Sequence, residues 1–148
     1  MSKTRASAIV LAAVALAQIA SISPARAEEH EWNQKEVLRL ADQLVVALDE
    51  ANAALREAPP PANVLQQRTR DAAANSFDRA HEAATDLVAK LRAGWDRERT
   101  EVYFRNVRDA VASTRRVARD AEPTQKVDQK LNEVGELLRQ LSRFYREA

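Results

Sequence analysis

His30 and His81 are the only histidines of this sequence, and with no cysteine present any metal or acid–base chemistry near neutral pH starts from them. His30 draws its interest from what precedes it. Ala25-Arg26-Ala27 is a small-x-small run of the kind that signal peptidases cleave, so a cut after Ala27 leaves a chain beginning Glu28-Glu29-His30. A free α-amine, two deprotonated backbone amides and the imidazole then place four nitrogens in one plane, a donor set suited to Cu(II) or Ni(II). Glu28, Glu29 and His30 are therefore the candidate metal site. His81 is different. Asp78-Arg79-Ala80-His81 puts a carboxylate one helical turn before it, half of the carboxylate–histidine pattern that di-metal bundles use twice. A second such pair and further inward glutamates are missing from the pattern. The spacing predicts instead a half-buried histidine paired with Asp78, Glu82 or Thr85.

The aromatic residues form the next group. In a bundle whose helices run alternately up and down, the start of the first helix, the second corner and the end of the fourth helix meet at one end. Trp32, Trp95, Tyr103, Phe104, Phe144 and Tyr145 all fall there, and Phe77 alone falls elsewhere. Six rings at one end either close the core or line an apolar pocket or partner surface. The charges are also uneven. Residues 28–58 carry eight acidic side chains against Lys35, Arg39 and Arg56, whereas residues 96–121 carry seven arginines against five acids. Arg105, Arg108, Arg115 and Arg119 fall near one helical face, which can meet an acidic partner or the first helix of another copy.

These residues need elements to hold them, and the apolar spacing supplies four. Val37, Ala41, Leu44, Leu48, Ala51 and Leu55 recur at alternating four- and three-residue steps, the signature of one buried helical face. The pattern predicts a first helix over Glu31–Ala58, ended by Pro59-Pro60-Pro61, since proline lacks a backbone donor and restricts the residue before it. A second helix runs from Ala62 or Asn63 to Ala93 with the stripe Ala73, Phe77, Ala80, Ala84, Leu87 and Leu91. Gly94 ends it and Asp96 caps the next. Continuing that stripe past Leu91 would meet Gly94, Glu98, Glu101, Arg105 and Arg108, so a corner belongs at Gly94–Trp95. The third helix, Asp96 to about Ala121, presents Phe104, Val107, Val111, Thr114, Ala118 and Ala121. Pro123 is read as a corner, proline being favoured at the first position of a helix. The fourth helix, Thr124 to about Glu147, presents Val127, Leu131, Val134, Leu138, Leu141 and Tyr145. Gly135 lies inside it and costs about 1 kcal/mol relative to alanine. A close helix contact would account for it.

The expected architecture is all-α: an up-down-up-down antiparallel four-helix bundle following a cleaved N-terminal signal peptide. Residues 1–27 are the expected leader, with Lys3 and Arg5 before the apolar run Ala8–Ala17, and residues 28–148 the bundle domain. That run is short for a membrane span, which needs about 20 residues, so no stable span is expected after cleavage. Loss of Lys3, Arg5 and Arg26 leaves 20 basic residues against 22 acidic, a net charge of −2. A near-neutral chain outside the cytoplasm is a poor nucleic-acid binder.

Length and expected topology are similar to those of the periplasmic b-type and c-type cytochrome bundles. The resemblance is architectural. The b-type family implies a haem-binding methionine on the first helix and a histidine on the last, and the c-type family a Cys-x-x-Cys-His run. Residues 28–148 contain neither methionine nor cysteine, and the fourth helix has no histidine. Of the 24 stripe positions, 23 are apolar, Thr114 being the exception, and no carboxylate, lysine or arginine falls among them. The sequence is therefore expected to be a secreted or periplasmic non-enzymatic helical-bundle protein, a binding or protein-interaction module without a cofactor. Its expected partner is an envelope protein or an apolar small molecule at the aromatic end, with self-association as a further option. Two alternatives are a periplasmic Cu(II)/Ni(II)-handling protein using Glu28-Glu29-His30 and a helical envelope-stress chaperone. An all-helical secreted mutase ranks last, because it needs cations pointing into the core.

Overall fold

Four N-caps start the four helices. The side chains of Asn33, Asn63, Asp96 and Thr124 accept hydrogen bonds from the backbone N–H groups of Glu36, Gln66, Arg99 and Val127. Each satisfies a donor that the first helical turn leaves without an intrahelical acceptor. In the computed structural model, which describes residues 31–146, these caps open α1 (Gln34–Arg56), α2 (Val64–Arg92), α3 (Arg97–Asp120) and α4 (Gln125–Tyr145). Expectations falling on residues 1–30 and 147–148 lie outside the described residues.

The stops are equally local. Residues 59–61, all proline, occupy the α1–α2 corner. Gly94 has φ +79°, its N–H donates to the Leu91 carbonyl at 3.0 Å and the Trp95 N–H donates to the Lys90 carbonyl at 3.2 Å. That pair of bonds is a Schellman stop. The α3–α4 corner uses Glu122 in the same left-handed position, at φ +50°. Pro123 lies in this corner as expected, but it precedes the Thr124 cap instead of occupying the first helical position, which is Gln125.

The helices pack antiparallel around one core. α2 lies against both α1 and α3, and α4 lies against α1. The α3/α4 seam is the sparsest of the four contacts, and the backbones of the diagonal pairs α1/α3 and α2/α4 stay more than 8 Å apart, Cα to Cα, among the described residues. Side-chain size explains the asymmetry. Ala73, Ala80 and Ala84 on α2 and Ala41, Ala47, Ala51 and Ala54 on α1 are buried, so those backbones approach closely. The seam between α3 and α4 carries arginines on the α3 side.

All six stripe residues of α1 and all six of α2 are buried. On α3 and α4 the stripes are buried too, except Ala121 and Leu138, which are half-buried. Ala121 caps the end of α3, and Leu138 belongs to the less tightly closed side of the bundle. Polar groups inside are few: Asn52, Ser76, Thr100, Thr114 and the Tyr145 hydroxyl, with no carboxylate, lysine, arginine or histidine buried among the described residues. Ser76 and Thr114 bond to each other at 3.0 Å, and Thr114 Oγ1 also lies 2.9 Å from the carbonyls of Ser76 and Ala110. The Thr114 hydroxyl thus meets its own helix and ties α3 to α2.

Candidate functional site

The aromatic end divides into two clusters. Tyr145, at the end of α4, stacks on Phe104 of α3 with ring centroids 4.2 Å apart, and Trp32 meets the same ring edge-on at 5.4 Å. Phe104, Phe144 and Tyr145 are buried, so this group closes the core end. The Tyr145 hydroxyl donates to Thr100 Oγ1 at 3.0 Å. Burial pushes the Tyr145 hydroxyl up to about 12, with the Thr100 hydroxyl pulling the other way. Trp95 and Tyr103 form the second group, edge-to-face at 5.9 Å and half-buried. Lys90 Nζ lies 4.9 Å from the Trp95 ring centre and 5.3 Å from that of Tyr103, within cation–π reach of both. The six rings expected at one end therefore act as a core plug and a separate cation-bearing patch.

His81 is half-exposed, and its Nε2 lies 3.3 Å from Asp49 Oδ1 of α1. The partner comes from the adjacent helix and not from the Asp78, Glu82 or Thr85 positions of its own. Asp78 is engaged elsewhere, accepting from Asn52 Nδ2 at 2.7 Å and lying 3.6 Å from Arg56. Among the described residues no cluster of three or more His, Cys, Asp or Glu side chains is arranged to hold a metal. Glu28, Glu29 and His30 lie outside the described residues. No helix among the described residues is long and apolar enough to cross a membrane.

A further concavity lies away from the aromatic end, on a face outside the apolar stripes. A shallow groove of about 670 Å³ runs between α1 and α4, over Val46, Ala47 and Leu137. Val46 is 55% exposed there. Four carboxylates, Asp42 and Glu50 on α1 with Glu133 and Glu136 on α4, stand along the rims among the amides of Gln43, Gln129, Asn132 and Gln140. Three cations serve these four carboxylates. Arg92 reaches Asp42 at 2.8 Å, Lys130 bridges Glu50 and Glu133 at 2.8 and 2.9 Å, and Arg139 pairs with Glu136. The bonds to Glu50 and then Glu133 raise the Lys130 pKa. An ionised carboxylate has about four acceptor sites, so these oxygens retain capacity for an incoming donor.

A signal for the groove was present in the sequence: Val46 adds a fifth apolar residue to the run Leu44–Leu48. It falls outside the α1 stripe, and only the position of α4 makes it part of a concave surface.

A second, smaller cleft of about 280 Å³ opens in the α3/α4 seam, lined by Arg115, Arg119, Asp128, Leu131 and Asn132.

Comparison with protein-family models, with curated proteins and with solved structures finds no match to this chain.

Proposed function

We propose that this protein is a non-enzymatic interaction module of the periplasm or extracellular space, and that the α1/α4 groove is its docking surface. The observation that carries the reading is the exposed Val46, set above Ala47 and Leu137 and flanked by carboxylates and amides on both rims. The fitting partner is an amphipathic helix. Its small apolar residues at i, i+3 and i+4 would cover Val46, Ala47 and Leu137, while lysines or arginines on its flanks reach Asp42, Glu50, Glu133 and Glu136. The core supports a binding role over catalysis, since its polar members are an amide and four hydroxyls, each bonded to a neighbouring group. The compartment rests on the basic start, short apolar run and Ala25-Arg26-Ala27 of the leader.

The test is a photo-crosslinking amino acid placed at Val46, with Val102 on exposed α3 as the control position, in cells that express the full chain. Adducts specific to position 46 that map to a basic amphipathic helix, in a partner whose co-purification with the parent chain is lost in Val46→Asp, support the proposal. Equal labelling from positions 46 and 102, or none from 46, overturns it. Circular dichroism of Val46→Asp is expected to match the parent, the side chain being more than half exposed.

A further inference from the structure

Gly135 is a glycine in the interior of a helix, where it is costly relative to alanine. The reason for it lies on the neighbouring helix. A Cβ at this position would meet Arg115 Nη1 at 2.9 Å, Cζ at 3.5 Å and Nη2 at 3.7 Å. The guanidinium of Arg115 therefore rests against the backbone of α4, in space that any other residue would fill. Arg115 is half-buried in that position. Among the described residues neither Arg115 nor Arg119 has a carboxylate oxygen within 4 Å. Taking a cation partly out of water without a counter-ion is unfavourable.

Both arginines line the cleft between α3 and α4, where Asn132 adds an amide and Leu131 an apolar wall. The ten α3 residues from 110 to 119 contain no acid to neutralise them. We propose that this cleft binds a small phosphate-class oxyanion, held by the Arg115 and Arg119 guanidiniums. A planar fork of donors matches such an oxygen pair in bidentate fashion. The cleft's volume of about 280 Å³ suits a single oxyanion group, being below the range of drug-sized ligand pockets. Asp128, which lines the same cleft, opposes the anion, so its charge sets how tightly the site holds. The site shares the Asn132 side chain with the rim of the α1/α4 groove, but its arginines belong to α3 and its anion binding does not depend on a partner in that groove.

The test is a titration of the full chain with sodium phosphate against sodium chloride at matched ionic strength. It is followed by the NMR signals of the Gly135 amide, the Asn132 side-chain amide and the Arg115 Nε–H. Saturable shifts of these signals with phosphate, absent with chloride, support the proposal. Arg115→Gln is expected to weaken binding at least tenfold, and Asp128→Asn to strengthen it severalfold, two changes of opposite sign that loss of folding cannot imitate. Shifts no larger than those in chloride overturn the proposal, as does unchanged affinity in Arg115→Gln or weaker affinity in Asp128→Asn.

Discussion

The Tyr145 hydroxyl donates a 3.0 Å hydrogen bond to Thr100 Oγ1, and so joins the last turn of α4 to the first turn of α3 across the sparsest seam of the bundle. Thr100 Oγ1 lies in turn 2.7 Å from the Asp96 carbonyl, so the link runs from the phenol into the cap of α3. With Phe104 stacked on the same ring, this corner closes an end that packing elsewhere along the seam leaves loose.

The first prediction concerns alkaline stability. The Tyr145 pKa is about 12 in the fold, against an ordinary value of 10.0, because burial disfavours the phenolate. The folded state therefore holds the proton more tightly than the unfolded chain does. Its contribution is fully present below pH 10 and is lost as pH rises through about 12. Two pKa units correspond to about 2–3 kcal/mol. Tyr145→Phe should cost about 1 kcal/mol at neutral pH through the lost hydrogen bond. It should also remove this part of the alkaline destabilisation, so the two proteins converge or cross between pH 10 and 12. Urea melts at pH 7, 10 and 12 measure it, and parallel pH profiles would refute it.

Ser76 and Thr114 give the second. Their hydroxyls are 3.0 Å apart in the core, at 2% and 0% exposure, so neither has water as a substitute partner. Thr114→Val keeps the volume and removes the hydroxyl, and is expected to cost about 1–2 kcal/mol. Ser76→Ala should cost less, because Thr114 Oγ1 still reaches the carbonyls of Ser76 and Ala110. The double variant should cost less than the sum of the two, since it removes both ends of one buried bond. A strictly additive cycle would show that the pair is not coupled.

Helical periodicity located the faces of these four helices because burial repeats with the turn. Val37, Leu44, Phe77, Leu87, Val107 and Val134 could be assigned to the core one helix at a time. Periodicity says nothing of how a helix is rotated and spaced against its neighbours. Asp49 as the partner of His81, Asn52 as a buried amide on Asp78, and the groove around Val46 all depend on that relation. Gly135 shows the same boundary: the sequence marks the cost, but the guanidinium that fills the space belongs to a residue 20 positions earlier on another helix. The aromatic residues were legible as an end cluster, but not as two groups, one buried and one half-buried beside Lys90.

The α3–α4 corner supplies a third prediction. Glu122 holds φ +50°, a conformation that costs a residue with a Cβ about 1–2 kcal/mol. Its side chain offers little in return, an exposed 3.3 Å bond from Gln66 Nε2. Glycine relieves the strain and loses more chain entropy on folding, which offsets part of the gain. Glu122→Gly is therefore expected to stabilise the bundle by about 0.5–1 kcal/mol, a rise of a few degrees in Tm. A lower Tm would mean that the corner depends on the glutamate itself.

The last prediction turns on a covalent fact. If the leader is removed after Ala27, mass spectrometry of protein taken from its native compartment will show a chain starting at Glu28. Only that terminus puts the α-amine two residues before His30, the spacing that lets one metal be met by four nitrogens in a plane. The chain beginning at Glu28 is then expected to take up one equivalent of Cu(II), read as a d–d absorption band and a square-planar electron paramagnetic resonance signal. His30→Ala should abolish both. Acetylating the α-amine should do the same, which separates this site from adventitious binding at His81. Uptake should also fall as pH drops, because amine, amides and imidazole must all give up protons to bind the metal. A start at any other residue takes away the fourth nitrogen, and the expected signals with it.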